Sequence, residues 1–262
     1  PTAAPTDAAP TIDLTGRIVV VTGATGDLGR VMIRTFARCG ADVAIHFHRN
    51  RTMAETLRDE VIALGRRACI GTGDVGNRAD MTALGATVCR ELGVPDIVVL
   101  NAVVQYQWKS VLEQEPEDYE SQFRSCALHA VLAAQTFAPG MIAKRHGRFI
   151  GISSECAMQN DPSQSAYVSG KRGMDGVLRV LAKEIGPHGI TVNQVAPGYM
   201  VSDRNRSVAD TEIPWYRERI PLRRRGVDQD VANAVAFLAS DLAGFITGAY
   251  LPVCGGNVMP CI

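Results

Sequence analysis

The sequence predicts an α/β protein, one doubly wound parallel sheet of about seven strands with helices on both faces. Two observations lead there. Short β-branched runs alternate with amphipathic helical stretches along almost the whole chain, and strands separated by helices pair in parallel with the helices covering the sheet. The first strand also runs straight into a glycine-rich turn, "TGATGDLGR", that opens the first helix.

The elements follow in order. "RIVVVTG" (17–23) is a short apolar run stopped by glycine, as a buried parallel strand is. Leu28, Met32 and Phe36, at four-residue steps, mark a helix ended by Gly40. "DVAIHF" (42–47) is the second strand, Met53, Leu57, Val61 and Leu64 the second helix, and "RACIGTG" (67–73) the third strand. A helix near 78–92, the strand "DIVVLNA" (96–102), a helix near 117–145 and the strand "RFIGISS" (148–154) continue the series. A helix near 164–185, the strand "ITVNQVA" (190–196), a helix near 228–240 and a last strand "AYLPVC" (249–254) complete it.

The 262 residues, 46% hydrophobic and 21% charged, suffice for a substantial core. A single domain is expected over 12–262, preceded by a disordered tail at 1–11, "PTAAPTDAAPT", which lacks the pattern of a secretory signal. Lys plus Arg and Asp plus Glu both number 27, so nothing favours nucleic acid as a partner. No apolar run approaches ~18 residues, so no membrane partner is expected. The seven cysteines are scattered without a Cys-x-x-Cys, as reduced thiols in a cytoplasmic protein are. His46 and His48 have no acidic or cysteine neighbours and read as a strand end, so no metal is expected.

In doubly wound sheets a nucleotide pyrophosphate sits at the first strand–helix turn. Here Gly23, Gly26 and Gly29 allow a tight turn and close approach to phosphate, and the helix behind them offers free N–H groups. This is the context of a Rossmann-type dinucleotide site, with Thr25, Asp27 and Leu28 in the same turn. Asp27 is expected to turn outward or cap the helix. NAD sites place an acid ~20 residues on, at the end of the second strand. Here that place holds His48, Arg49 and Asn50, with Arg51 beyond. A guanidinium suits a 2′-phosphate, which favours NADP(H) over NAD(H).

The chain resembles the short-chain dehydrogenase/reductase family from residue 14 to 256. The likeness rests on "TGATGDLG", "GDV" (73–75), "LNAV" (100–103), "ISS" (152–154), "YVSGK" (167–171), "VNQVAPGYM" (192–200) and "ITGAYLPVCGG" (246–256). It implies a ketoreductase-like enzyme in which Tyr167 exchanges a proton with the substrate oxygen, Ser154 orients that oxygen, and Lys171 binds the nicotinamide ribose and lowers the tyrosine pKa. Asp74 and Val75 would lie by the adenine, Asn101 and Ala102 along the cofactor, and Pro197, Gly198, Met200 and Ser202 near the nicotinamide. The resemblance also implies self-association, as a homotetramer or homodimer. Beside it stands a physical reading: reduction of a ketone leaves negative charge on oxygen, so a proton donor must meet that oxygen.

The chain departs from the family pattern in places. Cys126 stands where the family has an asparagine that helps hold a proton-relay water, and a thiol holds water poorly. Leu100 and Val103 make the cleft more apolar, Cys254 replaces an aspartate, and the Gly-x-x-Gly-x-x-Gly spacing resembles the longer epimerase branch. Expected substrate walls are Gln105, Tyr106 and Trp108; Cys156, Met158 and Asn160; and Tyr199, Trp215 and Tyr216. Mostly apolar and aromatic, they suit a neutral, hydrophobic ketone or the corresponding alcohol. The stretch 199–222, with Arg204 and Arg206, reads as a lid. The functional expectation is an NADPH-dependent carbonyl reductase, reversible as an alcohol dehydrogenase. The alternative is a catalytically impaired NADP(H)-binding sensor or scaffold.

Overall fold

The computed structural model describes residues 11–203, 205, 207 and 213–259. Most of the expected tail, together with Arg204 and Arg206, lies outside the described residues. Seven parallel strands form one sheet in the order β3-β2-β1-β4-β5-β6-β7. They are β1 Ile18–Val21, β2 Asp42–Phe47, β3 Ala68–Thr72, β4 Ile97–Leu100, β5 Gly147–Ile152, β6 Ile190–Pro197 and β7 Tyr250–Val253. The helices are α1 Asp27–Arg38, α2 Arg51–Ala63, α3 Arg78–Glu91, α4 Pro116–Gln122, α5 His129–Lys144, α6 Cys156–Gln159, α7 Ser165–Ile185, α8 Pro214–Arg219 and α9 Asp228–Ala239.

The central strands β1 and β4 are apolar on both sides because each side meets a helix layer. Val19 and Val21 of β1 pack with Met32, Ile33 and Phe36 of α1 and with Val235 of α9. Ile18 and Val20, pointing the other way, join the core formed with Leu84 of α3, Phe137 of α5 and Leu178 of α7. The alternation is thus present inside runs that read as uniformly hydrophobic.

Three features differ from the sequence expectation. The helix near 117–145 is divided by a π-helical turn, Phe123–Leu128, between α4 and α5. An inserted π turn changes the helical phase by about one residue, which a 3.6-residue pattern cannot reveal. The same stretch, Pro116–Lys144, is long and apolar enough to cross a bilayer by length and composition. Its alanines and Phe137 are instead spent on the core. Two short helices, α6 and α8, were not expected; neither is long enough to show a period.

β1 pairs with β2 on one side and β4 on the other. The chain therefore reverses its direction of sheet growth beside β1, and the loops at the carboxyl ends of β1 and β4 splay apart. A crevice opens at this switch point, where open α/β sheets bind ligands.

Candidate active site

The crevice is a cleft of about 760 Å³. Its floor is the turn between β1 and α1. Gly23 has φ 61°, and a Cβ there would stand 2.9 Å from Ala102 Cα. A Cβ on Gly29 would meet Gly23 O at 2.5 Å and Ala24 at 2.8 Å. These two glycines let the turn close on itself. A Cβ on Gly26 would find only Gly23 O, at an ordinary 3.4 Å. Gly26 caps α1 with no side-chain hydrogen bond, so the leading N–H groups of α1 carry no side-chain cap. A closed turn, an uncapped helix start and the cleft together fit a pyrophosphate.

Asp27 does not cap α1, contrary to one expectation. Its Oδ1 accepts from Arg30 Nη2 at 2.5 Å, and the same guanidinium reaches Asp203 at 3.1 Å. The i, i+3 pairing offers the carboxylate a charge partner that backbone capping does not.

Two side chains brace the turn. Asn101 Nδ2 donates to Thr22 O and Gly23 O at 2.9 and 3.0 Å, and Thr22 Oγ1 accepts from Asn101 N. His46, which the sequence offered only as a strand end, is buried beneath the turn. Gly23 N donates to its Nδ1 at 3.1 Å, and its Nε2 lies 3.0 Å from Gly73 O. A carbonyl only accepts, so Nε2 carries the proton, and burial holds His46 neutral with a pKa of about 4. No local sequence signal marks this role, because β2, β1 and β3 meet only in the sheet. Asn50 caps α2 through Met53 N, leaving His48, Arg49 and Asn50 on the rim of the cleft. All the cofactor residues expected from the sequence line this cleft, Asp74, Val75, Met200 and Ser202 included.

Ser154, Tyr167 and Lys171 line its far end. Ser154 follows β5; its carbonyl accepts from Tyr250 OH on β7 at 2.7 Å, and its Oγ accepts from Cys156 N at 3.2 Å. Tyr167 and Lys171 share one face of α7, four residues apart. Gly170 lets α7 approach the π turn: a Cβ there would lie 2.7 Å from Gln122 O. Tyr167 N donates to Tyr106 OH at 2.8 Å, pinning the start of α7 to the loop after β4. Lys171 Nζ donates to Ile152 O at 2.6 Å and lies 5.6 Å from the Tyr167 ring centroid. Burial, then the Cys156 thiol, pushes the Tyr167 phenol above its ordinary value, and a hydrogen bond with Ser154 pulls it back. Ser154 thus favours the phenolate.

A second cavity of about 450 Å³ opens onto Ser154 and Tyr167. Trp108 and Tyr106 come from the loop after β4, Cys156 from α6, Tyr199 from the loop after β6, and Trp215 and Tyr216 from α8. Both of the chain's tryptophans and four of its six tyrosines line it. Met158 and Asn160, also expected there, do not, because one turn of α6 presents Gln159 instead. Glu155, which the sequence reading missed, also lines this cavity. Its carboxylate accepts from Tyr216 OH at 2.8 Å and Asn257 Nδ2 at 3.0 Å, and Tyr216 OH accepts from Tyr199 N at 2.6 Å. Burial pushes the Glu155 carboxyl up, against those two hydrogen bonds. Cys126 is buried in the π turn, and the Cys254 thiol accepts from Val258 N at 3.4 Å. Among the described residues no cluster of His, Cys, Asp and Glu suits a metal.

Fold and site define a dinucleotide-binding oxidoreductase. The family model described as enoyl-(acyl carrier protein) reductase matches residues 23–257, and the chain belongs to the short-chain dehydrogenase/reductase family, which acts on CH–OH and C=O groups. It is 32% identical to the 3-oxoacyl-(acyl-carrier-protein) reductase FabG of Staphylococcus epidermidis, over 92% of this chain and 98% of that one. It is 34% identical to nodulation protein G of a Rhizobium species, over 94% and 99%. Among solved structures, a gluconate 5-dehydrogenase from Burkholderia cenocepacia, in complex with NADP and tartrate, is similar with a TM-score of 0.87 and 29% identity, covering 94% of this chain and 96% of that one.

Proposed function

We propose that the protein is an NADPH-dependent carbonyl reductase, reversible as an alcohol dehydrogenase, acting on a neutral, hydrophobic ketone. The carrying observation is that Ser154 and Tyr167 stand at the join of two cavities, one floored by the glycine turn and one walled by aromatic rings. Arg49 with His48 and Asn50 on the cleft rim, where NAD sites place an acid, supports NADP(H), as does the NADP in the similar gluconate 5-dehydrogenase structure. Bound NADPH supplies the hydride.

The chain's own residues handle the oxygen. Tyr167 O–H donates its proton to the substrate oxygen as charge develops there, and Ser154 Oγ orients that oxygen. Burial favours the protonated phenol, so Tyr167 holds the proton to be delivered. Lys171, anchored on Ile152 O, brings a positive charge to the ring face, which favours the phenolate left behind. Trp108 and Trp215, 46% and 56% exposed, lose hydrated apolar surface when a flat apolar ligand covers them. The wall has no lysine or arginine among the described residues to pair with an anionic substrate.

The segment 199–222 acts as the substrate lid in this reading, and the enzyme works in the cytoplasm as a homotetramer or homodimer. The alternative, an impaired NADP(H)-binding sensor or scaffold, draws on Cys126, a poor ligand for water. The test is oxidation of NADPH and NADH by a panel of aryl, alkyl and β-keto ester ketones, with Tyr167→Phe beside the wild type. The reductase reading expects turnover with NADPH and apolar ketones, and a loss of about 10²–10⁴ in kcat for the variant. Tight NADPH binding without oxidation by any ketone supports the sensor.

A further inference from the structure

The stretch through the π turn carries buried polar atoms without partners, and one of their residues, Ser125, lines the cleft with Lys171. Gln122 Oε1, Ser125 Oγ and His129 Nε2 are all buried and lack hydrogen-bond partners among the described residues. The side chains belong to residues only 0, 3 and 1% exposed. Orphans of this kind are rare in native interiors and mark places where ordered water belongs.

Their chemistry is specific. Burial holds His129 neutral, with a pKa of about 3. Its Nδ1 lies 3.2 Å from Ser125 O, and that carbonyl can only accept, so Nδ1 carries the proton. Nε2 is left as a bare acceptor. Ser125 lines the cleft together with Ile152 and Lys171. The Lys171 ammonium, 2% exposed, has three donors, and the structure gives it one hydrogen bond, to Ile152 O. A buried ammonium with donors to spare is costly, and acceptors without donors are costly too. Water joining them relieves both.

We propose that Ser125 and His129 hold ordered water against the Lys171 ammonium and act as positioning residues for it. This assignment rests on the reductase reading for its catalytic consequence. When the Tyr167 O–H bond breaks and its proton passes to the substrate oxygen, the phenolate is reprotonated from the Lys171 ammonium. The amine then recovers a proton from the held water, which draws one from solvent. One proton enters for each delivered to substrate, and no oxidant or reductant is involved. Cys126, between Ser125 and His129, holds water poorly, and its two neighbours take that part.

The test has two arms. In crystals of the cofactor-free protein, at a resolution that shows waters, one is expected within hydrogen-bond distance of both His129 Nε2 and Ser125 Oγ; a dry pocket overturns the proposal whatever the activity. In the second arm His129→Phe, Ser125→Ala and the acceptor-retaining His129→Gln are compared. His129→Phe is expected to lose that water and lower kcat by roughly tenfold, with KM for NADPH unchanged and a larger solvent deuterium isotope effect. Ser125→Ala follows in the same direction, and His129→Gln recovers most of the rate. A merely structural role lowers melting temperature without moving the isotope effect, and that outcome, or wild-type kinetics in folded His129→Phe and Ser125→Ala, overturns the proposal. Absence of turnover with every ketone refutes the reductase reading, while the crystal arm still decides the hydration.

Discussion

The cleft floored by the glycine turn and the aromatic cavity beside it share Ser154 and Tyr167 but are built differently. The cleft is made of backbone: Gly23 and Gly29 close the turn, the first N–H groups of α1 face outward, and Asn101 and His46 brace it from beneath. The cavity is made of side chains from four separate segments: a knot of hydrogen bonds around Glu155 holds α8 and the loop after β6, and Tyr106 ties the loop after β4 to α7. Backbone sites tolerate little change because every atom is fixed by the chain itself. Side-chain sites are re-formed by substitution, which suits a family whose members share a cofactor fold and differ in substrate.

The sharpest way to break this contrast is at Gly29. A methyl at this position meets Gly23 O and Ala24 backbone, none of which can swing aside. Gly29→Ala should displace the start of α1 and cost about 1–3 kcal/mol of stability. It should also raise the NADPH dissociation constant at least tenfold, since a misplaced charge-assisted hydrogen bond is worth about 1.5–3 kcal/mol. Fluorescence titration with NADPH beside thermal unfolding measures both. Unchanged affinity in the folded variant shows that the turn does not carry the phosphates.

The same contrast explains what was legible in the sequence. Gly23, Gly26 and Gly29, and the pair Tyr167 and Lys171, are read from spacing along one local element, and the structure brings them together in one cleft. Helices and strands long enough to show a period were equally plain. Glu155 was not, because its partners Tyr216 and Asn257 lie 61 and 102 residues away. His46 was not, because only strand pairing sets it under Gly23. The π turn escaped because Phe123–Leu128 has the composition of ordinary helix.

A smaller effect separates the cleft's rim from its floor. Arg49 stands at the rim, on a side chain just before the Asn50 cap of α2 rather than in the glycine turn. Arg49→Glu should shift the ratio of kcat/KM for NADPH to that for NADH toward NADH by about 10–100-fold, the scale of one charge-assisted contact. Loss should fall on NADPH, with the ketone KM little changed. An unaltered ratio removes the case for a 2′-phosphate at this guanidinium.

The smallest effect tests the knot around Glu155. Burial raises the folded-state pKa of Glu155. A carboxyl whose folded pKa lies above its unfolded value binds its proton more tightly in the folded state. Its contribution to stability is therefore fully present below the unfolded value, near ~4.3, and is lost as pH rises through the raised folded value. Glu155→Gln cannot ionise. Its amide oxygen can still accept from Tyr216 OH, and its amide N–H can donate to Asn257 Oδ1, a buried atom with no partner in the wild type among the described residues. Wild type minus variant in melting temperature should accordingly fall between pH 4 and pH 7, by a few degrees for each kcal/mol of the lost term. The ketone KM should change less than twofold, because the rings of Tyr199 and Tyr216 keep their places. A difference that is flat or rises with pH would mean that Glu155 is ionised and content in its pocket. The hydrogen bonds from Tyr216 and Asn257 would then outweigh burial in setting its charge.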